Sequence, residues 1–175
     1  MPNSPRTRNG GCTCGQVRYQ MTSDPLIVHC CHCHGCQQNS GSAFALNAMI
    51  EANRVTLLSG EIEEITVPTP GGTGQDIARC ASCKVAVWSN YNLGGPLRKH
   101  IHFIRVGTLD LSDQMPPDVH IYTCSKQPWV NLPKDAAQFD EIYNFDATWS
   151  KEAVERRAIL QEEIGIKQEE IGIKT

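Results

Sequence analysis

The chain has 175 residues, 40% of them hydrophobic, and a formal net charge of −3. That length supports one domain with a modest core, and a near-balanced charge without any Lys/Arg run excludes a nucleic-acid footprint. No stretch approaches the roughly 18 apolar residues of a membrane span and the polar start carries no secretory signal, so a soluble, cytoplasmic protein is expected.

Residues 1–9 read as a disordered tail, ended by Gly10 and Gly11 at the entry to a first cysteine pair, Cys12 and Cys14. Val17, Tyr19 and Met21 then alternate with Gln16, Arg18 and Gln20, the period-two pattern of a half-buried strand. Leu26, Ile27 and Val28 lead straight into a second cluster, Cys31, Cys33 and Cys36. Phe44, Leu46 and Ile50 share a face at period two, although 43–49 could also form a helical turn. Residues 62–67 read as a strand stopped by Pro68, and 70–74 as a Pro/Gly turn. Residues 77–79 run into Cys80 and 85–88 run out of Cys83, which places the third cluster at a hairpin tip. Lys84 stands where such a knuckle favours Gly, which predicts mild backbone strain.

Residues 101–109 form the clearest strand, and 120–124 a further short one that makes Cys124 a buried strand thiol. Trp88 and Trp129 read as core or pocket-wall aromatics, and His100, His102 and His120 as structural histidines. Ser150 is the expected N-cap of a surface helix, followed by a tandem QEEIGIK repeat over 161–167 and 168–174. The fold class is therefore mainly β, with antiparallel strands and a C-terminal helix. Residues 10–145 are expected to form the metal-binding domain and 146–175 the helix and tail.

Seven of the nine cysteines lie in the three clusters. In a reducing compartment such tight pairs bind metal or do redox chemistry more often than they form disulfides. Zinc takes four ligands, and seven splits into four plus three. Cys12, Cys14, Cys80 and Cys83 complete a closed four-thiolate site that clips distant β segments together. Cys31, Cys33 and Cys36 leave one position for solvent, substrate, His29, Cys30 or His34. His32, between two ligands, should point away from that metal. A sulfur-rich zinc acidifies water poorly and suits a thiolate better, so a small thiol or its adduct is the natural substrate class. Residues 39–42 offer N–H groups and hydroxyls that could cradle a carboxylate, or they form an ordinary turn.

The ordered segments GGCTCGQVRY, CHCHGC followed by SGSAFA, Cys80/Cys83 with VAVW, GTLD from Gly107, and the run from Pro117 through His120-Ile121-Tyr122 to Trp129 carry a resemblance. The chain resembles the glutathione-dependent formaldehyde-activating enzyme family, relatives of centromere protein V. The resemblance implies a β-tent fold shared with Rab-exchange-factor-like zinc proteins and B-type methionine sulfoxide reductases. It implies two zinc ions, one structural at Cys12, Cys14, Cys80 and Cys83, and one catalytic at Cys31, Cys33 and Cys36. The implied reaction is reversible addition of a glutathione-like thiol to formaldehyde or a related aldehyde, formally a carbon–sulfur lyase, with His34 as a candidate proton donor. Gln37 and Gln38 stand where many relatives carry a basic residue, so a charge for glutathione's carboxylates is missing there. The implied partner is a small-molecule thiol, with no nucleic acid or membrane, and a homodimer is compatible with the sequence. A non-catalytic, zinc-stabilised binding module is the alternative reading.

Overall fold

The computed structural model describes residues 6–69, 72–91 and 96–165. Its strands are β1 (Arg8–Gly11), β2 (Arg18–Met21), β3 (Ile27–Cys31), β4 (Ala45–Glu51), β5 (Val55–Ser59), β6 (Ile62–Val67), β7 (Gln75–Cys80), β8 (Ala86–Tyr91), β9 (Ile101–Arg105), β10 (Val119–Ile121) and β11 (Ala137–Gln138). Its helices are α1 (His34–Ser40), α2 (Phe145–Thr148) and α3 (Lys151–Glu163). A three-stranded sheet runs β1-β2-β5, and an eight-stranded sheet runs β11-β10-β3-β4-β9-β8-β7-β6. Pairing is antiparallel except that β10 lies parallel to both β3 and β11. The chain is mainly β, as expected, with a mixed edge that period-two patterning does not reveal.

The large sheet is covered on both faces. Val28, Ala48, Ile50 and Ile104 pack with Val17, Tyr19 and Met21 of the small sheet. Ile27, Met49, Phe103 and Val119 pack instead with Tyr143, Trp149 and Leu160 from the C-terminal segment. Covering on both sides buries β3 at every position, which is why residues 26–28 read as a continuous apolar run rather than an alternation. Where the small sheet meets the turn after β9, Gly10 is required by a close approach. A Cβ there would lie 2.5 Å from the Tyr19 ring and 2.7 Å from the Thr108 carbonyl oxygen.

Several expected boundaries move. The first strand starts at Arg8, inside the segment read as a tail, because β1 pairs with β2 from Arg8 to Gly11. Residues 45–51 are strand and not helix, since β4 is paired on both edges. The 101–109 strand ends at Arg105, and Val106–Thr108 forms a 3-10 turn. The short strand ends at Ile121; Thr123–Ser125 is a 3-10 turn, so Cys124 is an exposed loop thiol rather than a buried strand one. Trp88 is core at 7% exposure, whereas Trp129 is 70% exposed and belongs to no core.

Ser150 caps α3 by accepting from the Ala153 N–H at 3.1 Å. The helix has only a thin apolar stripe but is anchored by charge. Arg156 Nε donates to Glu51 Oε1 at 2.8 Å, and its Nη2 reaches Glu51 Oε2 in a buried bidentate pair. No helix among the described residues is long and apolar enough to cross a membrane. The second QEEIGIK copy, and Pro70 and Gly71 of the expected turn, lie outside the described residues.

Candidate metal centres

The four-cysteine group forms where the two sheets meet. Cys12 and Cys14 sit in the turn between β1 and β2, while Cys80 ends β7 and Cys83 lies in the hairpin tip before β8. All four Sγ atoms are within 4.8 Å of one another. Cys12 and Cys14 are 3.3 Å apart and Cys14 and Cys80 3.8 Å, and every cysteine is a free thiol. Four thiolates at about 2.3 Å from a tetrahedral zinc stand about 3.8 Å apart, so the donors fit that ion. The expected knuckle strain is present, with Lys84 at φ 62° and its N–H donating to the Cys80 carbonyl at 2.9 Å. Burial works to raise the Cys12 thiol, but the Val17 N–H and the thiols of Cys14, Cys80 and Cys83 bring it down to about 6.

The second group surrounds the start of α1. Cys31 closes β3, Cys33 is the helix N-cap, and Cys36 lies in the first turn with its N–H donating to Cys33 Sγ at 3.4 Å. The three Sγ atoms lie within 4.8 Å of one another, and no fourth His, Cys, Asp or Glu among the described residues joins them. The donor set thus fits a zinc with one position open. The alternative ligands are placed elsewhere. His34 is exposed, Cys30 faces a different group, and His29 Nε2 is engaged by the Tyr143 hydroxyl, which itself accepts from Trp149 Nε1 at 2.9 Å. Hydrogen bonds from Cys31 and Cys36 lower the Cys33 thiol to about 2, while its bond to Cys33 pushes Cys31 upward.

Three neighbours complete this site that the sequence did not single out. Arg105 is half-buried, donates from Nη1 to Asn47 Oδ1 at 2.6 Å, and feels the charge of Cys36 and Cys31. Burial lowers its pKa and those thiolates raise it, and a guanidinium remains charged throughout. Burial raises both Tyr91 and Tyr122; a hydrogen bond with Thr69 works the other way at Tyr91, and nearby charges that include Cys31 and Cys33 raise both further. Tyr122 holds φ 55°, a left-handed backbone that a bulky residue adopts only under constraint. Tyr122 lies inside the family-like run, but aromatic residues in strands and turns look like core in a sequence, so neither it nor Tyr91 was marked as a site residue.

Residues 37–42 are occupied with structure rather than with a ligand cradle. Gln37 Nε2 donates to the His32 carbonyl at 2.6 Å and the Ser125 carbonyl at 3.0 Å, while its Oε1 accepts from Gln127 at 2.8 Å. Ser40 Oγ closes the helix on the Cys36 carbonyl at 2.7 Å, and Gly41 is its left-handed C-cap. Of the 39–42 segment, Asn39 and Ser40 thus end α1 and Gly41 caps it, leaving the turn to 41–43.

A third group was not foreseen as a unit. Cys30 Sγ, His32 Nε2 and His120 Nδ1 lie within 4.8 Å of one another, all buried. His32 does point away from the three-cysteine group, as expected, and into the interior at 0% exposure.

The family model described as glutathione-dependent formaldehyde-activating enzyme matches residues 7–125. A crystal structure of a Rhodobacter sphaeroides protein is similar at 15% identity, covering 59% of this chain and 88% of that one, with a TM-score of 0.42. No curated protein matches the chain.

Proposed function

We propose, for a chain that belongs to the glutathione-dependent formaldehyde-activating enzyme family, a carbon–sulfur lyase that reversibly joins a small glutathione-like thiol to formaldehyde or a related aldehyde. The observation that carries this is a three-thiol group with no fourth His, Cys, Asp or Glu donor among the described residues, near the half-buried Arg105 guanidinium and the phenols of Tyr91 and Tyr122. Cys31, Cys33 and Cys36 would hold zinc, which when bound supplies a position that keeps a substrate sulfur deprotonated at neutral pH. Cys12, Cys14, Cys80 and Cys83 would hold a second, structural zinc.

The chain's own residues do the rest. Arg105 offsets the negative charge gathered around Cys36 and Cys31. The substrate sulfur adds to the aldehyde carbon, a C–S bond forms, and the carbonyl π pair moves to oxygen. That oxygen takes a proton from Tyr91 or Tyr122, whose phenols are kept protonated by burial and neighbouring charge. The phenol is reprotonated from solvent, and the reverse direction expels the thiolate. Gln37 spends its amide on holding α1 to the 123–127 loop, so glutathione's carboxylates would be met by other groups.

The test is the exchange of glutathione with its S-hydroxymethyl adduct, followed by NMR magnetisation transfer at known formaldehyde concentration. Wild-type protein should accelerate exchange above the buffer rate, and Cys33→Ser should return it to that rate with the fold intact. Exchange at the uncatalysed rate with fully zinc-loaded protein would instead favour the binding-module reading.

A further inference from the structure

We propose that Cys30, His32 and His120 form a third metal site, a thiolate–bis-imidazole centre for one closed-shell ion of the zinc or copper(I) class. It is separate from both cysteine groups. Cys30 and His32 are two residues apart along an extended segment and so share the sheet face opposite to Cys31. The parallel register then brings β10 alongside, with His120 directly opposite Cys30.

The spacing is that of ligands. Cys30 Sγ to His32 Nε2 is 3.5 Å and His32 Nε2 to His120 Nδ1 is 3.2 Å. A zinc bound at roughly 2.0–2.1 Å by imidazole and about 2.3 Å by thiolate sets neighbouring donor atoms about 3.3–3.6 Å apart. One thiolate with two imidazoles is a donor set that zinc and copper share.

The frame is built to hold these atoms still. The His32 N–H donates to the Ile121 carbonyl at 3.0 Å, and the His32 carbonyl accepts from Gln37 at 2.6 Å and Ser125 at 3.1 Å. The His32 ring lies 5.5 Å from Phe44 and stacks on His120. The His32 ring is fully enclosed, with Nδ1 turned to the interior and Nε2 the atom facing both Cys30 Sγ and His120 Nδ1. Binding forms one sulfur–metal and two nitrogen–metal bonds and releases the Cys30 thiol proton to solvent, and nothing is oxidised.

The experiment uses full-length protein, purified from zinc-supplemented and, separately, copper-supplemented medium. Metal per chain is counted by elemental analysis and native mass spectrometry. Cys30→Ala and His120→Gln are each expected to hold one ion fewer per chain than wild type, zinc in one medium or copper in the other, with the remaining ions retained. In wild type, long-range proton–nitrogen NMR should show His32 and His120 each with one metal-bound nitrogen. Equal metal counts in wild type and both variants, or imidazole shifts showing a plain donor–acceptor pair, overturn the site. If a variant fails to fold, the wild-type NMR reading decides alone.

Discussion

His102 shows how one buried ring sets a pH dependence. Burial lowers its pKa from 6.5 to about 4, and its Nδ1 lies 3.0 Å from the Asn90 amide nitrogen, which donates to it. A base whose folded pKa is depressed binds more protons when unfolded, so stability is full above pH 6.5 and falls as pH drops towards 4. The loss across that window is on the order of 3 kcal/mol. His102→Gln keeps an acceptor for Asn90 without a titrating proton. Its unfolding free energy should therefore fall less steeply than the wild type's between pH 6.5 and 4.5, as read from urea midpoints at matched zinc. Equal slopes would show that the ring is not held neutral. At this scale the sequence was readable where a rule is local. Lys84's positive φ followed from its place after Cys83. The Cys30–His32–His120 group did not, because it needs a parallel register between segments about ninety residues apart, which no local pattern encodes.

Among elements, α3 is the one whose docking rests most on a single contact. Its apolar stripe is thin, so the buried Glu51–Arg156 pair does much of the holding, with Arg156 also reaching the Ser23 hydroxyl and the Asp24 carbonyl. Glu51 also pairs with Arg54 at 3.1 Å, and because Arg156 is only part-buried, removing the carboxylate costs roughly 1.5–3 kcal/mol. Glu51→Gln should accordingly release α3, seen as faster proteolysis between 145 and 165 and a lower melting temperature. Arg156→Met combined with Glu51→Leu should recover much of the loss, since it leaves no buried charge. A stable, protease-resistant Glu51→Gln protein would mean that packing alone docks the helix. The cap at Ser150 was legible from local residue chemistry, and the anchor was not, because Glu51 ends a strand 105 positions from Arg156. Strand ends were blurred for a similar reason. Residues 106–108 and 123–125 follow closely on strands but take 3-10 geometry, while Leu109 bridges back to Gly10.

In the molecule as a whole, the four-cysteine group is the bolt between the small and large sheets, linking the β1–β2 turn to the β7–β8 hairpin. Metal binding at such a site is folding free energy. Cys80→Ser should lower the melting temperature by at least about 10 °C, at roughly 2–4 °C per kcal/mol for a chain of this size, whereas Cys33→Ser should change it little. Matching losses in the two variants would remove the division between holding and working groups. The grouping into four and three cysteines was legible from spacing alone, and the structure adds nearby Arg105, Tyr91 and Tyr122, from β9, β8 and the turn after β10. The central claim is that the three-cysteine group keeps a position open for a substrate thiol. Cobalt(II)-substituted protein titrated with glutathione tests it most directly. The account predicts that thiolate-to-cobalt absorption grows to saturation at one equivalent in wild type and is absent in Cys33→Ser, while a spectrum indifferent to glutathione would contradict it.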